Sequence, residues 1–396
     1  MKGSSSVLAW AEGLTVRPRP GGKILVSADG AQVLVDAEVL RVLEVFATPR
    51  TLAEGLERLA AAGPRDFTAL SSLTHRLADS GMLTGDRLDG GPSSFDGARI
   101  HISMLDDVPR TWAFMSAIRE IVTPSDVVVD VGTGTGVLAV AAALAGARHV
   151  YALEAARIAA AARAVFEANG LGHRITLIEG LSTKVTLPER ATVLVAELIG
   201  DDPLDEGIIE VVCDARARHL TSDARCIPGA LRVLGRPVVI PQDFAEAVVF
   251  TSDATSRWSS DYGMALSALV EFSRRKPLMI SLSSQRARRW PTAGPELEFG
   301  SFDLTDVVST EAKVRRTFEV TADAPYFGVL VYFESELSRS ISLSTAPGVA
   351  QDTNSWHSPL WLLGHDVKQG ETVTVEFHYE DCKSCMQLER TSSALS

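Results

Sequence analysis

Cysteine is scarce in this chain of 396 residues: four in all, at positions 213, 226, 382 and 385. That is too few, placed too late in the sequence, to form a disulfide framework. Cys382 and Cys385 make one C-x-x-C, which alone does not complete a tetrahedral zinc site and lacks a βαβ redox context; no metal is expected. A membrane span is missing, since no apolar run is long enough to cross a bilayer. So is a signal peptide, because residues 1–10 have neither a basic start nor a sustained apolar core. Positive charge is short as well. With 38 Lys and Arg against 50 Asp and Glu, the net charge is −12, without the basic footprint of a nucleic-acid binder. A cationic substrate is drawn in by such a balance. These absences describe a cytoplasmic chain with no nucleic-acid and no membrane partner. Neither internal repeats nor low-complexity tracts occur, and 46% hydrophobic residues over this length fill the cores of two or three domains.

The most informative stretch present is Val127-Val128-Val129-Asp130-Val131-Gly132-Thr133-Gly134-Thr135-Gly136. A β-branched strand enters a glycine-rich turn, and an Ala/Leu helix follows from about Val137. The next short strand, His149 to Leu153, is closed by Glu154. This order brings a nucleoside onto the carboxyl ends of parallel strands. The glycines let the backbone approach the ligand, and Glu154 is placed to accept from both ribose hydroxyls. A dinucleotide fingerprint requires a third glycine where Val137 stands, and the P-loop lysine is missing. Gly132, Gly134 and Gly136, with Asp130 ending the strand, therefore suit S-adenosylmethionine better than NAD or a nucleoside triphosphate.

Three regions are expected. Residues 1–88 read as strands at Thr15–Arg17, Lys23–Val26 and Ala31–Val35, then helices near 37–47, 51–61 and 66–80, a small winged-helix-like α+β module. Its order of elements, with the Leu40…Leu43, Leu52…Leu56 and Leu73…Leu77…Met82-Leu83 pattern, resembles the PqqD-like domains of ribosomal peptide biosynthesis. That resemblance implies a leader peptide added as a strand to the sheet edge; a plain accessory module or a degenerate DNA-type winged helix are the other readings. Residues 88–94 form a linker. Residues 95–240 alternate helices with strands near 174–178 and 191–196, a Rossmann-like α/β domain with a doubly wound parallel sheet. Residues 241–396 are expected to form an antiparallel, barrel-like β domain, with strands near 238–240, 246–251, 314–321, 329–334, 340–344 and 372–379.

The chemistry is expected where the strand at Val193–Ala196 ends, in Glu197-Leu198-Ile199-Gly200-Asp201-Asp202-Pro203-Leu204-Asp205-Glu206. In an open α/β sheet this end faces the ligand crevice. Glu197 and Glu206 converge there as a carboxylate pair, which matches a planar guanidinium through charge-assisted bidentate hydrogen bonds. A solvated acidic loop is the bland alternative; its place on the cofactor sheet favours a functional one.

From about His101 to Val375 the chain resembles the protein arginine methyltransferases, on Glu197 and Glu206 at their family spacing and on the segment His101 to Thr111. The resemblance implies transfer of a methyl group from S-adenosylmethionine to a guanidino nitrogen of arginine. It implies that Arg110 pairs with the carboxylate of the cofactor's methionine moiety and that Met104 lines the methyl-transfer site. Asn354-Ser355-Trp356 falls at the family's Thr-His-Trp loop, so Trp356 walls the guanidinium pocket, while Ser355 replaces the loop histidine. Thr183 stands at the family's adenine-binding glutamate, and Ser182 beside it is the substitute donor or acceptor. Phe95 and Trp112 are candidates for the aromatic pair that closes over the cofactor. Trp258 to Gly263 is similar to the segment after a dimerisation arm, which the short stretch from Pro241 makes a reduced one. The expected partners are a peptide or small guanidino substrate, a leader peptide at the first module, and a second copy in a homodimer. A peptide acceptor, as in a natural-product precursor, is placed first. Free arginine or another small acceptor, and a non-catalytic peptide-binding shell, are the alternatives.

Overall fold

The computed structural model describes residues 7–60 except 12–13, 20–21, 29–30 and 49, then 70, 73–74, 77 and 82–85, and 98–390 except 275–276, 351–354 and 381. The chain divides into two compact units, Met1–Gly97 and Ala98–Ser396.

In the first unit, strands Thr15–Arg19, Lys23–Ala28 and Ala31–Asp36 form an antiparallel meander. Ile24, Val26 and Ala28 are buried at every second position, the period of a half-buried strand. Val39, Val42, Leu43 and Phe46 line the inner face of helix Val39–Phe46, and helix Leu52–Ala60 follows. A strand the sequence pattern does not announce, Val7–Trp10, pairs antiparallel with Arg50–Thr51 and Leu83–Gly85. Leu70, Leu73, Leu77 and Met82 are buried in this unit's core. Most of the expected helix at 66–80, the linker at 88–94 and Phe95 lie outside the described residues.

The second unit opens with helices α1 (Ala98–Asp106) and α2 (Val108–Ile121). Strands β1 (Val127–Val131), β2 (His149–Glu154), β3 (Ile175–Glu179), β4 (Ala191–Val195) and β5 (Leu220–Ile227) follow, with helices α3 (Val137–Leu144), α4 (Ala159–Ala168) and α5 (Ile208–Arg218) between them. All four strand pairings are parallel, in the order β5-β4-β1-β2-β3. The winding reverses between β1 and β4, the switch point where such sheets open a crevice at their carboxyl ends. Both faces of β1 are covered, so every residue from Val127 to Val131 is buried, as central parallel strands require. Val128 packs with Phe114, Ala117 and Ile118 of α2 and with the alanines of α3. Val127, Val129 and Val131 face a second core shared with α5 and the antiparallel region.

That antiparallel region begins at β6 (Ala230–Val239), earlier in the chain than the expected change at 240/241. The expected strand near 246–251 is instead helix over its first half and irregular after it: α6 (Gln242–Val248) starts behind Pro241 and buries Phe244 and Ala245. The alternation in that stretch is short, and helix-forming Ala and Glu outweigh the valines. Helices α7 (Ser252–Tyr262) and α8 (Ala268–Arg274) complete a helical insertion. Trp258 to Tyr262 lie within α7 and Gly263 is its C-cap, so that segment is part of the helical insertion. Strands β7 (Leu278–Ser283), β8 (Leu297–Asp303), β9 (Ala312–Glu319), β10 (Phe327–Glu336), β11 (Ser342–Ser344), β12 (His357–Leu362), β13 (Thr372–Glu380) and β14 (Lys383–Arg390) complete the unit. They form two antiparallel sheets, β7-β12-β10-β6-β8 with β11 on β10, and β9-β13-β14. The sheets share one core, in which Phe299 stacks on Phe377 at 5.1 Å.

Candidate active site

The glycine turn leaves β1 with φ of +72° at Gly132, +56° at Gly134 and +85° at Gly136. At Gly132 the need for glycine is double. The positive φ disfavours a side chain, and a Cβ there would lie 2.7 Å from Leu198 Cδ2. Beneath the turn, Asp130 accepts from Thr133 Oγ1 at 2.5 Å. Burial, partly offset by that hydrogen bond, raises the Asp130 carboxyl to about 7. Glu154, at the end of β2, accepts from the Gly134 amide and the Ala156 amide, each at 2.8 Å. Each carboxylate oxygen has a further lone pair, so this geometry leaves Glu154 able to accept a ribose hydroxyl. Ser182 and Thr183 follow β3 on the same edge of the sheet; the Ser182 carbonyl is held by Arg218 at 2.6 Å.

Asp107 caps α2, its carboxylate accepting from the Arg110 amide at 3.2 Å. The cap sends the Arg110 side chain across to the loop after β4. There Arg110 Nη2 donates to Glu197 Oε2 in an ion pair whose side chains are 9% and 8% exposed. Nη1 donates to the Met104 carbonyl at 3.2 Å. The guanidinium carbon lies 5.1 Å from the ring centre of Trp356, within cation–π range. Glu206 also acts on this cation: burial lowers the Arg110 guanidinium to about 10, against the attraction of Asp107 and Glu206. Burial and the neighbouring Asp205 carry the Glu206 carboxyl up to about 7, with Arg110 opposing. One carboxylate, Glu197, and one indole thus meet the Arg110 guanidinium directly, while Asp107 and Glu206 attract it from further off. Arg110 Nε and Glu197 Oε1 are buried without a hydrogen-bond partner among the described residues.

The wall is built from both halves of the unit. Trp356 Nε1 donates to the Ile199 carbonyl at 2.5 Å, and its ring meets Phe333 edge-on at 5.0 Å. Ser355, at the place of the absent loop histidine, donates from its amide and hydroxyl to Asp107 Oδ2 at 2.8 and 3.0 Å. Asn354 lies outside the described residues.

The structure therefore gathers Met104, Arg110, Glu197, Glu206 and Trp356 at one end of the sheet, beside Gly132, Gly134 and Glu154. It turns Arg110 toward Glu197, where the resemblance implied a cofactor carboxylate. Trp112 is half exposed and lies under the Arg119 guanidinium at 5.0 Å. His101, Asp107 and Ser355 have places the sequence reading assigned no role. His101 is buried against the turn, 3.4 Å from where a Gly134 Cβ would stand. Asp107 carried a signal, an N-cap residue with Pro109 in the first turn. A cleft of about 240 Å³ beside the helical insertion, lined by Phe250, Arg274, Tyr326 and Lys368 among others, holds none of the residues selected from the sequence.

Residues 108–223 match the family model described as ribosomal protein L11 methyltransferase (PrmA). The chain is 28% identical over 251 residues to a probable protein arginine N-methyltransferase 6 of Arabidopsis thaliana, covering 62% of this chain and 56% of that protein. It is 38% identical over 293 residues to a probable histone-arginine methyltransferase 1.4 of the same plant, covering 70% and 53%. The chain thus spans about half the length of both relatives. Among solved structures, the PRMT1 enzyme–prozyme heterotetrameric complex of Trypanosoma brucei with AdoHcy superposes with a TM-score of 0.60 at 22% identity, over 75% of this chain and all of that one. Arabidopsis thaliana protein arginine methyltransferase 10 gives 0.58 at 23%, over 76% and 95%. In fold, and in part of its sequence, the chain is similar to the arginine methyltransferases.

Proposed function

We propose that this chain is an S-adenosylmethionine-dependent N-methyltransferase that acts on a guanidino nitrogen of arginine, carried in a peptide or protein. The observation that supports it most is the seating of the Arg110 guanidinium against Glu197 and Trp356, with Glu206 on the same loop as Glu197: the site accommodates the kind of group it is proposed to methylate. The residues also fit the cofactor. The glycine turn and Glu154 suit a nucleoside, and the partnerless buried Nε of Arg110 is a donor suited to a carboxylate. Ser182 and Thr183 lie on the adenine side.

When bound, S-adenosylmethionine supplies a sulfonium methyl open to displacement. The chain's own residues do the rest. Glu197, once Arg110 turns from it to the cofactor's carboxylate, and Glu206 would grip the acceptor guanidinium and orient one of its nitrogens; Met104 and Trp356 would fix the plane of the group. The positive charge of the acceptor would stay on the guanidinium between the two carboxylates throughout the transfer. Glu206, with its carboxyl held near neutrality, takes the proton the nitrogen sheds. Most of the work is positioning.

The first unit supports the peptide form of the acceptor. Strand Ala31–Asp36 pairs on one side with Lys23–Ala28 and carries Leu34 at 56% exposure; its other edge pairs with no strand among the described residues, and a leader peptide added there would form a further strand. A natural-product precursor is such a peptide, met in the cytoplasm. Tyr262, Met264 and Phe272, exposed on or beside the helical insertion, are the surface for a second copy in a homodimer.

Titration calorimetry with S-adenosylhomocysteine present tests the clamp. An arginine peptide should bind at least about 100-fold more tightly than the same peptide with citrulline, because a neutral acceptor leaves two carboxylates unpaired. Equal affinities would remove the guanidinium reading.

A further inference from the structure

Strands β13 and β14 end in a hairpin, and in its register Tyr379 stands directly opposite Ser384, which puts both side chains on one face. That face meets the acidic loop. The Tyr379 ring is buried in the shared core at 1% exposure, and its hydroxyl lies 2.8 Å from both carboxylate oxygens of Glu210 and 3.2 Å from the Leu204 carbonyl. A phenol has one proton to donate; the nearer Glu210 carboxylate accepts that hydrogen bond, with the Leu204 carbonyl as the second, longer acceptor. Ser384 Oγ donates to buried Asp202 at 3.1 Å. The hairpin also approaches Gly207, where a Cβ would stand 3.1 Å from Cys382 Sγ. The contacts therefore fall on both sides of Glu206, at Asp202 and Leu204 before it and at Gly207 and Glu210 after it.

We infer that Tyr379, assisted by Ser384, is a positioning residue for Glu206, holding the acidic loop from behind while Trp356 and His357 hold its front through Ile199 and Asp201. The inference rests on the reading of Glu206 as half of the guanidinium clamp. A carboxylate displaced by about 1 Å loses its aim at the acceptor, which costs about 10- to 100-fold in rate. Cofactor binding, on β1 and β2, does not involve this hairpin. Burial and Glu210 push the Tyr379 hydroxyl far above its ordinary range, so it remains a donor wherever the enzyme works.

The test is Tyr379→Phe in the full chain, with Ser384→Ala as a milder second variant, read by steady-state kinetics and by amide hydrogen exchange. The expected result is kcat lower by about 10- to 100-fold for Tyr379→Phe, KM for the cofactor unchanged, and a displaced acid limb of the pH profile. Exchange should quicken in residues 199–207 and stay constant in residues 127–154. Should Tyr379→Phe fail to fold, Ser384→Ala must show the same pattern in smaller measure. Unchanged kcat, unchanged loop exchange, or a loss of kcat matched by a loss of cofactor affinity would each overturn the inference. If the wild-type chain methylates no arginine acceptor, the function reading fails; loop exchange then decides the brace alone, and its constancy in both variants would overturn it.

Discussion

Glu197 and Glu206 stand in different environments although both are glutamates. Glu197 is nearly inaccessible and paired with a cation, whereas Glu206 is half-buried among acidic neighbours with its carboxyl raised to about 7. Glu197→Gln and Glu206→Gln should each lower methyl transfer by at least about 1,000-fold, the cost of leaving a charged group without its partner, while calorimetry finds S-adenosylhomocysteine affinity unchanged for Glu206→Gln. Full activity in either variant would remove the clamp. The raised Glu206 carboxyl also fixes a pH dependence. An ordinary glutamate releases its proton near about 4.3, but folded Glu206 keeps its proton until about 7. Between those values the folded chain binds more protons than the unfolded chain. The contribution of Glu206 to stability is therefore fully present below about 4.3 and declines as pH rises through about 7. Activity runs the other way, because the clamp needs the carboxylate: kcat/KM should climb with pH to a plateau above about 7, and a flat profile from 5 to 8 would deny Glu206 its role. Both glutamates and the glycines were legible in the sequence, since strand-end positions and short spacings are local properties. The orientation of Arg110 was not. Its ion pair with Glu197 joins positions far apart in the chain, through a cap at Asp107 and a loop at Ser355.

Elements whose two faces are both buried were the easiest to read. The unbroken Val run of β1 and the Ala-rich α3 sit where the pattern places them, because a parallel strand covered by helices on one face and by the antiparallel core on the other has no polar side to interrupt it. Short or mixed patterns misled. The stretch 246–251 has valines enough for a strand, yet the chain uses its first half to finish α6, whose burial of Phe244 depends on tertiary packing. Val7–Trp10 is a strand only because Arg50–Thr51 and Leu83–Gly85 come beside it, which no local signal carries. At this scale the glycine turn depends on Glu154, which accepts both the Gly134 and Ala156 amides. Glu154→Ala leaves those amides without their acceptor and removes the proposed ribose contact. S-adenosylhomocysteine binding should weaken by about 10- to 100-fold, the worth of one to two charged hydrogen bonds. The same calorimetry giving wild-type affinity would mean that the ribose lies elsewhere.

For the molecule as a whole, the parallel sheet and the antiparallel sheets are not independent blocks. Val127, Val129 and Val131 of β1 share a core with Phe333, Trp356 and Phe377, so the acidic loop is held between the cofactor sheet and the β region by packing as well as by hydrogen bonds. That continuity hid the boundary from sequence reading: β6 starts directly after β5 without a linker, and composition shifts only at the helical insertion. The wall of the candidate site, formed by Asp107 with Ser355 and by Ile199 with Trp356, exists because the two halves fold on each other. The central claim is a methyl group placed on an arginine nitrogen. The direct test is to incubate the full chain with S-adenosylmethionine carrying a labelled methyl, an arginine peptide, its lysine counterpart and free arginine, and to locate the label by tandem mass spectrometry. The account predicts label on a guanidino nitrogen of the peptide arginine, none on lysine, and none with Glu206→Gln. Label on a carboxylate or hydroxyl, or no label on any acceptor while cofactor binding is intact, would contradict it.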